Sequence, residues 1–137
     1  MMKTFRTDIQ QRFADIDRLG HVNNIRLQEY FDLGKMQFYD TVLGGRLDWQ
    51  AVNLILVSIH TEIGRQTFMD SPLTVETSIE KIGTKSISVY QRLVDENSGL
   101  TNAECRSVVV AFDFVSQQSV PIPEEWKRLL EPYTGVR

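Results

Sequence analysis

The chain carries two hydrophobic periods. Over residues 25–42, Leu27, Tyr30, Phe31, Gly34, Phe38 and Val42 recur at steps of three and four. That spacing puts them on one face of a long helix of roughly 27 Å. Asn23 or Asn24 can cap its start, because a side-chain oxygen there accepts a free backbone N–H. Gly44-Gly45 stops it. Gly34, in mid-helix, costs about 1 kcal/mol relative to alanine. Close approach of the helix to a sheet would offset that loss.

Elsewhere the period is two. Residues 7–13 predict a first strand with Ile9, Gln11 and Phe13 on one face, and residues 14–24 a polar loop containing Gly20. Residues 53–63 contain Leu54-Ile55-Leu56-Val57, apolar at each position, which predicts a central strand buried on both faces. In residues 73–81, Leu73, Val75, Thr77 and Ile79 alternate with Thr74, Glu76, Ser78 and Glu80, the pattern of a half-buried strand. A turn at 82–85 leads to a strand at 86–94, and Asn97-Ser98-Gly99 closes a second hairpin. A last strand covers 103–115. Pro121 and Pro123 end the sheet, and 124–130 predicts a short terminal helix.

The order predicts an α+β fold in one domain over 1–137. An antiparallel five-stranded sheet wraps around one long central helix, with a short helix at the C-terminus. One helix cannot cover both faces of such a sheet. Its other face or an edge is expected to meet a second copy, giving a homodimer, with a dimer of dimers as the larger option.

Composition narrows the function. The chain has 137 residues and 42% hydrophobic side chains, enough for a folded core. No linker, repeat or low-complexity tract divides it. A net charge of −3 supplies no electrostatic footprint for nucleic acid. Cys105 is the only cysteine, which excludes an intrachain disulfide and a cysteine-based zinc site within one chain. No run is apolar enough to span a bilayer. Met1-Met2-Lys3-Thr4 lacks the apolar core of a secretory signal, so a cytoplasmic location is expected.

The unusual stretch runs from Arg12 to Asn24. It brings Asp15, Asp17, His21, Asn23 and Asn24 into a loop that feeds a helix N-terminus. Unpaired backbone N–H groups and the positive dipole end concentrate there. Such donors can hold the oxyanion that forms when a carbonyl is attacked. A nearby carboxylate can serve as general base or nucleophile. The same residues also fit an ordinary capped loop with solvated aspartates.

Asp-x-Asp-x-x-Gly-His-Val-Asn-Asn ahead of a long helix resembles the signature of hotdog acyl-CoA thioesterases of the 4-hydroxybenzoyl-CoA thioesterase type. It is similar also to acyl-carrier-protein thioesterases, which share His-Val-Asn-Asn. The hairpin Lys81-Ile82-Gly83-Thr84-Lys85-Ser86 resembles the corresponding hairpin of this group, and the element order matches the hotdog fold. The resemblance implies hydrolysis of an acyl thioester to a carboxylic acid and CoA, with no metal and no cofactor beyond the CoA of the substrate.

Carried onto this sequence, the catalytic aspartate falls on Asp17 and the histidine on His21. The N–H that polarises the thioester carbonyl falls at Asn23 and Asn24. The acyl-carrier-protein branch has an asparagine two residues after the aspartate, where this chain has Leu19. For Asp15 the expected role is structural, capping the loop or pairing with Arg12. Asn24 can be cap, site residue or both. Tyr30 is the core aromatic expected to face the acyl group. Lys85 and Ser86 are the favoured contacts for the CoA phosphates, with Lys81, Arg65 and Arg92 as others. His60, on a strand with Glu62, is expected at the surface or an interface, and Glu29 and Asp32 are alternative acids on the helix. The same fold can also serve as a non-catalytic acyl-CoA sensor. A hydratase ranks last, since its His/Asp-Gly-Pro-rich motifs are missing.

Overall fold

A computed structural model describes residues 2–135. Its elements are β1 (Phe5–Ile9), α1 (Asn24–Val42), β2 (Val52–Ile63), β3 (Leu73–Ile82), β4 (Ser86–Asp95), β5 (Leu100–Asp113), β6 (Gln118–Ser119) and α2 (Glu124–Leu130). All ladders are antiparallel, in the order β1-β3-β4-β5-β2, and the two-residue β6 folds back on β5. The sheet therefore has six strands rather than the expected five.

The helix forms where its period places it, starting one residue early. Asn23 is the cap: its side-chain oxygen accepts the Ile25 N–H at 2.8 Å. Leu43 closes the other end and Gly44 follows at φ 61°, the left-handed conformation that lets the chain turn away. The apolar face of α1 lies on the sheet. Leu27, Tyr30 and Phe31 pack with Val75, Leu93, Ala103 and Cys105. Phe38, Tyr39 and Leu43 pack with Ile79, Val89, Val109 and Trp126 of α2.

Between these clusters the helix backbone lies directly against side chains of the sheet. A Cβ on Gly34 would stand 2.7 Å from Val75 Cγ1, below any real contact, and 3.1 Å from Gln91 Nε2. Buried Gln91 also donates to Phe31 O at 2.8 Å and Thr77 Oγ1 at 3.1 Å, tying helix to sheet. The glycine expected to permit close approach does so.

Three strand expectations need correction. The first strand spans Phe5–Ile9, not 7–13. Gln11 instead bonds the backbone at Phe68, Asp70 and Ser71, and Phe13 is 83% exposed in a 3-10 turn. The Leu54–Val57 run lies on β2, which pairs only with β5 and so forms the sheet edge. Leu54 is buried, but Leu56, Val57 and Ile59 are exposed, with a bulge between Leu56 and Ser58. Conversely β3, expected half-buried, lies between β1 and β4 and is buried at Thr74 and Ser78 as well as on its helix face. On its outer face Glu76 is bracketed by Arg6 at 2.7 Å and Arg92 at 2.6 Å.

Candidate active site

The loop ahead of α1 is built on Asp15. This carboxylate is fully buried and accepts hydrogen bonds from Tyr30 Oη at 2.5 Å, the Arg12 N–H at 3.0 Å and Arg12 Nε at 3.2 Å. Burial pushes its pKa up, but the bonds from Tyr30 and Arg12 outweigh burial and hold it below the ordinary carboxylate value. Burial and the bond to Asp15 raise the Tyr30 phenol, so it remains a proton donor. The Asp15 carbonyl accepts the Asn23 N–H at 2.8 Å, which fixes the loop to the helix cap. The pairing with Arg12 is the structural role expected of Asp15.

Asp17 lies one turn further along, in a tight hairpin. Ile16 and Val22 form an antiparallel bridge, the Asp17 N–H donates to His21 O at 3.0 Å, and the Gly20 N–H donates to Asp17 O at 3.1 Å. Gly20 sits at φ 85°, which a residue with a Cβ rarely adopts. Asp17 Oδ1 accepts the Leu19 N–H at 2.8 Å. Position 19 thus contributes its backbone, while its side chain is exposed. Asp17 Oδ2 faces His21 Nδ1 at 3.7 Å, and that nitrogen is buried without a hydrogen-bond partner among the described residues. A small closure or one water would join them.

The strand connection holds His21 in place. His21 bridges Phe68, and the two rings meet edge-on at 6.5 Å. The Val22 N–H donates to Thr67 O at 2.7 Å, and Thr67 Oγ1 accepts from buried Asn102 at 2.9 Å. Three residues past His21 the helix opens at Asn24, which is exposed and whose N–H, at the first helical position, has no intrahelical acceptor. A carboxylate with one oxygen fixed, an imidazole and a helix mouth thus follow one another along one short loop.

The other site candidates lie elsewhere. Tyr30 is buried with its hydroxyl committed to Asp15, and it borders a cleft of about 620 Å³ with Arg12, Glu29 and Leu33. Lys85 ends the β3–β4 turn and Ser86 begins β4. The length of β3, ~30 Å at ~3.3 Å per residue, separates them from the Phe68 end of the sheet, so one chain does not bring them to Asp17. Arg92 is engaged by Glu76 and Thr101. Glu29 is held by Arg12 and Arg26, and His60 pairs with Glu62 on the surface. Lys35 is a buried cation that its residue type alone does not reveal. It is buried on α1 between Phe31 and Tyr39 at four-residue steps, and that spacing was the available signal.

The curled antiparallel sheet on one helix, with this loop at the helix mouth, defines a hotdog-type protein of the thioesterase class. A family model, the thioesterase-like superfamily, matches residues 11–130. The chain belongs to that superfamily, and with it to the thioester hydrolases. Among solved structures it is similar to a predicted thioesterase from Bacillus stearothermophilus, with 25% identity, a TM-score of 0.88, and 98% of this chain and 99% of that chain covered. A Staphylococcus aureus protein in complex with CoA aligns at 18% identity and TM-score 0.86, over 97% of this chain and 85% of that one. A 1,4-dihydroxy-2-naphthoyl-CoA thioesterase from Synechocystis aligns at 16% identity and TM-score 0.81, over 93% and 96%. No curated protein matches the sequence. Among the described residues, no helix is long and apolar enough to cross a membrane.

Proposed function

We propose that this protein hydrolyses acyl-CoA thioesters to the free acid and CoA, with Asp17 as the reacting carboxylate. One observation carries the reading. Asp17 Oδ1 is fixed by the Leu19 N–H, while Oδ2 points toward His21, in the hairpin that leads into the mouth of α1. The thioester oxygen accepts the unpaired Asn24 N–H, which stabilises the charge that develops there. Asp17 Oδ2 either attacks the carbonyl carbon, expelling CoA thiolate and leaving a mixed anhydride that water cleaves, or takes a proton from the attacking water. His21 orients the carboxylate or the water. Asn23 shapes the mouth as the cap, and Tyr30 fixes the loop through Asp15.

The CoA-bound and naphthoyl-CoA-cleaving neighbours support a CoA thioester over one on a carrier protein. A thiol-release assay across short, long and aromatic acyl-CoAs tests the activity, and at least one should be turned over. Tight acyl-CoA binding without thiol release would instead assign a non-catalytic sensing module. Cleavage confined to acyl-carrier-protein thioesters would move the carrier assignment.

The proposed working form is a homodimer. The twelve-residue β2 leaves one edge unpaired and shows Leu56, Val57 and Ile59 to solvent, a surface that a second copy would cover. In such a pair, Lys85 and Ser86 of one chain would serve the CoA bound at the other's helix. Sedimentation equilibrium should find a dimer that Ile59→Lys weakens. A monomer at all concentrations would end this part of the proposal.

A further inference from the structure

The crevice between α1 and β2 contains two cavities that share Asp32 and Leu56. The outer one begins at Ile25, on the first turn of α1. The inner one, about 240 Å³, continues past Asp32 and is lined by apolar Met36, Leu54 and Val109. Three polar side chains at least nine-tenths buried also line it: Lys35, Tyr39 and Asn53. Buried polar groups ordinarily find partners. Here Tyr39 Oη has no hydrogen-bond partner among the described residues, and Lys35 Nζ makes only a long ion pair, 3.8 Å, with exposed Asp32, which leaves its hydrogen-bonding capacity open. Asn53 uses its side-chain oxygen on the Leu54 N–H. Asp32 and Asp40 also line the cavity but are exposed, so the buried polar groups that it presents are the Lys35 ammonium, the Tyr39 hydroxyl and the Asn53 amide, set among apolar side chains.

Resting on the acyl-CoA hydrolysis proposed above, we infer that this channel receives the acyl chain and that Lys35 and Tyr39 bind an oxygen at its far end. The substrate class is a medium-chain acyl group ending in a hydroxyl or carboxylate. Lys35 lies eleven residues beyond Asn24 on α1, ~16 Å along the helix axis at 1.5 Å per residue. That is the scale of an extended medium-length chain, too far for a single aromatic ring. An acceptor oxygen satisfies donors that a methyl terminus would leave stranded, so the site favours the oxygenated chain by about 10- to 100-fold, the worth of one hydrogen bond to a charged group.

The test compares kcat/KM for matched CoA thioesters: decanoyl against ω-hydroxydecanoyl and sebacyl, and lauroyl against its ω-hydroxy and ω-carboxy forms. The unaltered protein should prefer the oxygenated member of each set, and the two oxygenated arms tell hydroxyl from carboxylate. Lys35→Met should reduce that ratio to near one. Tyr39→Phe removes a hydroxyl with no partner, so it keeps the fold and should lower the ratio by itself. A ratio near one in the unaltered protein, or one that survives Tyr39→Phe and Lys35→Met alike, overturns the assignment while leaving the hydrolase reading standing. No thiol release from any thioester overturns both.

Discussion

Asp17→Asn should lower acyl-CoA turnover by about 10²- to 10⁴-fold, the usual contribution of a positioned base or nucleophile, with no loss of fold. Asparagine keeps the side-chain oxygen that accepts the Leu19 N–H, so the hairpin geometry is preserved. It removes the negative charge and the proton-accepting oxygen that faces His21. Thiol release under single-turnover conditions gives the rate, and an unchanged urea transition shows that folding is intact. KM should change little, since the loss falls on the transition state. A variant as fast as the parent would remove Asp17 from the chemistry and return attention to Glu29 and Asp32 on the helix.

Asp15→Ala should be the most damaging single change to stability, costing about 3–5 kcal/mol, as removal of one partner from a buried charge network does. It strands the Tyr30 hydroxyl in the core and the Arg12 N–H beside it. Asp15→Asn should cost less, because it keeps shape and acceptor. The same carboxylate gives a pH dependence. Its folded pKa is depressed, so its contribution is complete above the unfolded value near 3.8 and is lost as pH falls from there through the folded value. Urea unfolding from about pH 5 to about pH 2 should show this acid limb, and it should flatten in Asp15→Asn. An equal slope in the two proteins would place the acid sensitivity elsewhere.

The helices were the legible part of the fold. Leu27 to Val42 keeps a clean period between an asparagine cap and two glycines, and α2 begins behind Pro123 as its proline predicts. Strand placement was harder. Leu54-Ile55-Leu56-Val57 marks surface to be covered, but a run of apolar residues does not say what covers it, so an edge strand reads as a central one. β3 erred in the opposite direction: on its polar outer face Thr74 and Ser78 are buried, and Glu76 is held between Arg6 and Arg92 rather than wetted. Such long side chains carry apolar stems that a polarity pattern does not register. β1 ended early because Gln11, which looks like a strand residue, spends its amide on the distant 68–71 backbone.

Within the candidate site, Asp17 and His21 could be singled out from the motif, and their spacing suits the turn that joins them. The division of labour between the two aspartates could not be read from composition. It depends on Tyr30, fifteen residues away on the helix, whose hydroxyl reaches Asp15 and not Asp17. Lys35 stayed hidden for the opposite reason. Its residue type suggests solvent, while its position one helical step from Phe31 and Tyr39 puts it inside.

The unfinished rim of β2 bears on how this protein tolerates dilution. If its last strand is completed only by another molecule, the native population follows mass action, and heat resistance rises with the amount of protein in the tube. The melting midpoint then becomes a property of the solution as well as of the chain, and values taken at different loadings are not interchangeable.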